Sequence, residues 1–322
     1  MNDDMTTSAN DRPEVLMVAA LMPFVTDQLH AHYTVHDRIH VSDPARFAEV
    51  APRIRGVVAS GESRVSRELI AQLPALEMIT VFGVGYDGID VVAARERGIA
   101  VTHTPGVLND DVADLAMGLL LAVSRRIPQA DKFIRDGGWP KGPMPLARKL
   151  SGSRLGIVGM GRIGQAIAER ALAFSMSVAY TARSARSQLD YSYYPDAASL
   201  AQAVDFLVVI TPGGAATRGL IDAKVLQALG PDGYLVNVAR GSVVDQDALI
   251  LALQNGTIAG AGLDVFVDEP NVPDALRTLT NVVLTPHIGS GTRQTREAMG
   301  QLTVDNLHAH FAGQPLLTPV PD

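Results

Sequence analysis

The chain has 322 residues, which at roughly 100–200 residues per domain points to two domains. Hydrophobic residues make up 47% and charged residues 19%, a balance that excludes a disordered chain. The net charge of −7 offers no basic field to nucleic acid or an anionic membrane, and the absence of cysteine excludes a disulfide framework, a thiolate metal site and a cysteine nucleophile.

The start, MNDDMTTSANDRPE, is polar and acidic, unlike a secretory signal. The first dozen residues read as a disordered tail, and the chain as a soluble cytoplasmic protein. Apolar runs then alternate with helical patterns: Val15–Ala20, Gly56–Ala59, Met78–Val81, Leu155–Val158, Val178–Tyr180, Phe206–Ile210, Tyr234–Val238, Ile258–Leu263 and Val282–Leu284. Short apolar runs bounded by Gly, Pro or Asp are what buried parallel strands look like. The alternation predicts an α/β fold.

Asp110–Arg126 is a long helix pattern that opens on acids and closes on arginines, as the helix dipole prefers. Its most apolar run, Leu115–Val123, is too short for a membrane span of about 20 residues. A Gly/Pro-rich stretch, Gly137–Pro145, follows. Further helices are predicted at Arg162–Phe174, Gln246–Gln254 and Thr292–Phe311. A fresh βαβ series begins at Leu155, so the economical layout is one domain inserted into another. Residues 1–101 and 289–322 form the outer, substrate domain and 102–288 the dinucleotide-binding domain, with two chain crossings as a hinge. Both domains are expected to be Rossmann-like or flavodoxin-like with parallel sheets.

In LGIVGMGRIG, a strand runs into Gly159-x-Gly161-x-x-Gly164 and then a helix. Gly159 permits the turn, Gly161 lets the backbone approach a pyrophosphate, and Gly164 lets helix and strand pack closely. The helix N-terminus adds free N–H groups for the phosphates. An NAD site usually has an Asp or Glu at the end of the next strand for the ribose 2′-hydroxyl. Here Ala182, Arg183, Ser184 and Arg186 stand there instead. A guanidinium binds a 2′-phosphate that a carboxylate would repel. NADP is therefore preferred, with NAD possible.

Three segments place polar residues after apolar strands: Asn237–Gly241 with Arg240, Gly262–Phe266 with Asp264 and then Glu269, and Thr285–Ser290 with His287. Carboxyl ends of parallel strands are where ligands bind in open α/β sheets. His30, His32, His36 and His40 change from strand-like to helix-like spacing and read as surface histidines, so no metal is expected. Asp87 and Asp90 read as loop-bracing residues.

With these motifs in hand, the chain resembles the D-isomer-specific 2-hydroxyacid dehydrogenases. The resemblance rests on GVGYDGID, DDVADLAMGLLL, GMGRIG, NVARG, GLDVF with Glu269-Pro270, and PHIGSGT. YTARSAR, Tyr193-Tyr194-Pro195 and LLTPV make it most like the NADPH-preferring glyoxylate/hydroxypyruvate reductases of that family. The resemblance implies reduction of a small 2-keto acid to a D-2-hydroxy acid. In it Arg240 holds the substrate carboxylate, His287 donates the proton, and Glu269 orients His287 and favours its charged form. Backbone N–H groups of Val84 and Gly85, with Ser60, complete the substrate contacts. The implied cofactor contacts extend to Met160, Arg162, Ile163, Thr211, Pro212, Thr217, Val238, Ala239, Asp264, His287 and Gly289. Asp264 would meet the nicotinamide carboxamide; a helix-capping or backbone-bracing role is the alternative. Trp139 would reach the partner's active site in a homodimer, or else serve as an interface or surface anchor. Neither nucleic acid nor membrane is expected as a partner. Other substrates in view are phenylpyruvate, 2-ketogluconate and, with Arg64 or Arg67 as phosphate ligand, phosphoglycerate. A dinucleotide-sensing corepressor is the reading from another class, and the complete Arg, Glu and His set argues against it.

Overall fold

The structure is a computed structural model and describes residues 12–321. All but the last of the dozen residues expected as an N-terminal tail lie outside the described residues. The chain divides into two compact units, one from the N-terminus to Val107 and from Arg293 onward, the other Leu108–Thr292. These limits lie a few residues past 101 and 288. Thr104 stays bonded through its N–H to the Gly83 carbonyl in the first unit, and Gly289 stays bonded to Asp264 in the second.

The first unit holds a parallel sheet of β1 (Glu14–Met17), β2 (Thr34–Asp37), β3 (Ile54–Ser60), β4 (Met78–Phe82) and β5 (Ala100–Thr102), in the order β2-β1-β3-β4-β5. That order reverses between β1 and β3, as in flavodoxin-like sheets. Every residue of β4 is buried, which is why MITVF carries no alternation. Leu16, Ile54, Val57, Ile79 and Val81 form the centre of its core. The helix Arg293–Phe311 packs on β4, and Val320 donates its N–H to Val101, fastening the C-terminal segment to β5.

The second unit holds seven parallel strands: β6 (Arg154–Val158), β7 (Ser177–Thr181), β8 (Ser192–Tyr194), β9 (Phe206–Val209), β10 (Tyr234–Asn237), β11 (Gly260–Leu263) and β12 (Val282–Leu284). Their order is β12-β11-β10-β9-β6-β7-β8, so the winding reverses between β6 and β9. The helix Asn109–Ser124 buries Val112, Ala116, Leu119, Leu120 and Val123 against β10, β11 and the helix Arg162–Ala173. Gly262 makes that approach possible, since a Cβ there would lie 3.0 Å from the Leu119 Cβ.

All nine expected strands are present, and the helix Gln246–Gln254 has the expected limits. β2, β5 and β8 were not legible. β2 and β8 are edge strands with no fully buried residue, so neither produces an apolar run, while β5, also at an edge, offers only the short run Ile99-Ala100-Val101. The histidine reading needs correction. His36 bonds Glu14 at 2.8 Å between β2 and β1 and is mostly buried, and the His40 ring packs on Phe47. Only His30 and His32 are exposed. No helix among the described residues is long and apolar enough to cross a membrane.

Candidate active site

In the second unit the polar residues gather at the carboxyl edge of the sheet. After β6, Gly159 has φ +106° and a Cβ there would sit 2.6 Å from the Ile210 carbonyl oxygen, so only glycine fits the turn. A Cβ at Gly164 would overlap the Gly159 carbonyl. Gly161 faces open space and caps the helix Arg162–Ala173, whose first internal bond runs from Gln165 to Gly161. The earlier amides, at Arg162, Ile163 and Gly164, therefore have no partner within the helix. A loop with room above Gly161 and open N–H groups fits a dinucleotide pyrophosphate. Met160, Val238 and Ala239 are buried beside the strand ends.

After β7, no carboxylate occupies 181–186 and Arg183 is exposed. Tyr180 pins this loop by accepting the Arg186 N–H at 2.7 Å, and Tyr193 reaches the Ala182 carbonyl at 3.4 Å. After β9, Thr217 donates to the Pro212 carbonyl at 2.7 Å and folds the Thr211–Thr217 loop back on itself.

Arg240 follows β10. Its loop is held by Asn237, which is buried, accepts from the Ala239 N–H at 3.0 Å and donates to the Arg240 carbonyl at 3.0 Å. Arg240 Nη1 donates to the Ala239 carbonyl at 2.8 Å. Glu269 Oε1 accepts the Phe266 N–H at 2.8 Å, and Oε2 is 2.7 Å from His287 Nδ1. Burial raises the Glu269 pKa, but the bonds from His287 and Phe266 and the charges of His287 and Arg240 outweigh it, so the carboxyl lies below its ordinary range.

Asp264, 1% exposed, braces the segment that carries His287. Its Oδ1 accepts from Thr285 Oγ1 at 2.6 Å and Ile288 N–H at 2.8 Å, and its Oδ2 from Gly289 N–H at 2.8 Å. Its carbonyl accepts the His287 N–H at 2.9 Å. Burial pushes its pKa up, opposed by these donors. His287 itself has φ +51°, a left-handed conformation that costs a non-glycine residue about 1–3 kcal/mol and persists only where neighbours hold it. The structure thus realises the bracing role for Asp264. Asn237 and Thr285 were missed in the sequence; the one available signal was a polar residue inside or beside an apolar run.

In the first unit, Ser60 forms a turn with Ser63, their hydroxyls 3.1 Å apart. After β4, the N–H groups of Val84 and Gly85 donate to nothing among the described residues. Asp90 caps the helix Val91–Glu96 through the Ala93 N–H. Arg67 pairs at the surface with Glu96 and Asp90, while Arg64 is exposed. Trp139 stands on a short 3-10 turn and is 68% exposed.

Gly241 offers a test of the Arg240 loop. A Cβ there would overlap the Phe266 backbone, next to the N–H that Glu269 accepts. Gly241→Ala is expected to lower kcat/KM by about 10²-fold, the scale of an ångström-level misplacement. Unchanged steady-state kinetics in the folded variant would contradict this packing.

The family model for the D-isomer specific 2-hydroxyacid dehydrogenase NAD binding domain matches residues 117–289. Hydroxyphenylpyruvate reductase of Plectranthus scutellarioides is 46% identical over 309 residues, 95% of this chain and 98% of that one. The 2-ketogluconate reductase of Gluconobacter oxydans is 45% identical, covering 97% and 99%. Glyoxylate/hydroxypyruvate reductase A of Arabidopsis thaliana is 50% identical, covering 83% and 85%. Among solved structures, an NADPH-dependent glyoxylate/hydroxypyruvate reductase of Sinorhizobium meliloti, in complex with NADP and malonate, superposes with a TM-score of 0.91 at 47% identity over 96% and 97% of the two chains. With the strand-end glycine loop and the Arg, Glu and His set in place, the chain belongs to the D-isomer specific 2-hydroxyacid dehydrogenase family, an oxidoreductase family with an NAD-binding domain.

Proposed function

We propose that the protein reduces small 2-keto acids, glyoxylate and hydroxypyruvate, to D-2-hydroxy acids with NADPH. The observation that carries this is the pairing of His287 Nδ1 with Glu269 beside Arg240 on the same strand edge as the glycine loop. NADPH, when bound, supplies the hydride. Gly159, Gly161 and Gly164 with the amides at Arg162 and Ile163 hold its pyrophosphate, and Arg183, Ser184 and Arg186 its 2′-phosphate. Thr211, Pro212, Thr217, Val238, Ala239 and Gly289 are assigned to the rest of the cofactor, while Asp264 braces the segment that carries His287. Arg240 binds the keto acid's carboxylate and polarises its carbonyl through a planar fork of donors. Because Nδ1 is committed to Glu269, the proton for the new hydroxyl leaves from Nε2 of His287. Val84 and Gly85 add N–H donors for the carboxylate, and Ser60 a substrate contact.

Arg183→Ala is expected to lower kcat/KM with NADPH by about tenfold or more and to leave NADH nearly unchanged, the result of removing a charge-assisted phosphate contact. Equal losses with both cofactors would take Arg183 out of that role.

The chain is further proposed to act as a homodimer in the cytoplasm. Ile127, Ile134, Trp139 and Leu146 leave apolar surface exposed along one stretch, Leu146 at 99%. Exposed apolar side chains clustered in sequence are candidates for burial against a second copy. Trp139 is assigned to the partner's active site. Light scattering that returned a monomer mass would remove this part of the reading.

The activity itself is tested by product analysis. Hydroxypyruvate incubated with NADPH and the enzyme should give D-glycerate on chiral chromatography. L-glycerate, or no glycerate, would overturn the proposal.

A further inference from the structure

We propose that His103 is a positioning residue for the substrate carboxylate: it holds the peptide between Val84 and Gly85 so that its N–H faces the anion. This rests on the reading above, in which Val84 and Gly85 meet the keto acid's carboxylate.

Two consecutive peptides are held through their carbonyls by residues 103 and 104. His103 Nδ1 lies 2.9 Å from the Val84 carbonyl oxygen. A carbonyl only accepts, so Nδ1 carries the hydrogen and donates. The next residue, Thr104, donates its backbone N–H to the Gly83 carbonyl at 2.9 Å. In a planar trans peptide the C=O and N–H point in opposite directions. Holding the Gly83 carbonyl therefore aims the Val84 N–H away from Thr104, and holding the Val84 carbonyl aims the Gly85 N–H away from His103. Neither of these two amides has an acceptor among the described residues. Successive N–H groups left open in this way form an anion-binding concavity.

Of the two supports, only the one from His103 depends on a side chain. Any residue at 104 other than proline offers its backbone N–H. The His103 ring is itself fixed. Tyr86 packs edge-on against it at 5.3 Å between centroids. The His103 backbone is clamped by Thr318, which accepts its N–H at 3.1 Å and donates its hydroxyl to its carbonyl at 2.6 Å. Thr318 is in turn held by Asn306 of the helix Arg293–Phe311. The imidazole is thus a preset donor rather than a surface ring.

The chemistry of replacement separates positioning from bulk packing. Asparagine carries its amide nitrogen at the place of Nδ1 on the side chain, two bonds beyond Cβ. Leucine has similar branching and no donor. His103→Leu should raise KM for glyoxylate and the inhibition constant of malonate by about three- to tenfold, the scale of one neutral hydrogen bond. Its kcat and its NADPH dissociation constant should stay close to those of the wild type. His103→Asn should restore both constants. If the leucine variant does not fold, His103→Ala, which also lacks the donor, takes its place against His103→Asn. Equal KM in the donor and non-donor variants would overturn the proposal, as would parallel losses in kcat and NADPH affinity. A wild-type enzyme that reduces no 2-keto acid would instead overturn the parent reading and this one with it, so the two failures are distinguishable.

Discussion

Replacing His287 with asparagine is expected to lower kcat for 2-keto acid reduction by about 10²–10⁴-fold, the contribution of a positioned general acid. Asparagine keeps a polar group at 287 but cannot deliver a proton at neutral pH. The same argument fixes the pH profile. Reduction needs His287 protonated, so its rate should fall as pH rises through the titration of that ring. The interaction energy of a pair is shared. The bond and charge that lower the Glu269 pKa against its burial must equally favour the imidazolium. Glu269→Gln should therefore shift the fall in rate to lower pH. An unmoved profile in the folded glutamine variant would remove Glu269 from this role. A His287→Asn enzyme with kcat within a few fold of the wild type would remove His287 from proton transfer.

Arg240→Lys is expected to raise KM for the keto acid and lower kcat by about tenfold or more, the low end for losing one donor to a developing oxyanion. The comparison separates two jobs. If Arg240 only bound the carboxylate, the loss would fall on KM and spare kcat. A planar guanidinium serves carboxylate and carbonyl at once, whereas an ammonium is a single compact charge. Apart from the Arg240 Nη1 bond to the Ala239 carbonyl, the loop is set by Asn237 and by close packing of Gly241 on Phe266, which the substitution leaves in place. NADPH binding, followed by fluorescence titration without substrate, should therefore barely change. A lysine variant with normal kcat, or a folded one that no longer binds NADPH, would contradict the assignment.

The residues that were legible in the sequence share one property: the chain announces them locally. The glycine loop stands between an apolar run and a helix, and Arg240, Asp264 and His287 each follow an apolar strand. Strand ends of a parallel sheet converge, so a reader of runs and turns can place them on one edge. What was not legible depends on partners distant in sequence. Asp264 braces residues about twenty positions later, and nothing in GLDVF distinguishes that from a ligand contact. His36 looks like a surface histidine until β2 pairs with β1 and brings Glu14 beside it. His103 is a lone histidine after a three-residue strand, and its role depends on the Val84 carbonyl, nineteen positions earlier. Edge strands β2 and β8 escaped because half-exposed segments lack the buried run that marks the inner strands.

The relatives divide over substrate: some are named for glyoxylate or hydroxypyruvate, others for an aromatic or a sugar keto acid. The measurement that bears most directly on the account is kcat/KM for glyoxylate, hydroxypyruvate, 4-hydroxyphenylpyruvate and 2-ketogluconate, each with NADPH and NADH. The account predicts the highest values for glyoxylate and hydroxypyruvate, with NADPH favoured over NADH at least tenfold, a difference of about 1.4 kcal/mol or more. Faster turnover of the aromatic or sugar keto acid, or equal use of the two cofactors, would contradict it.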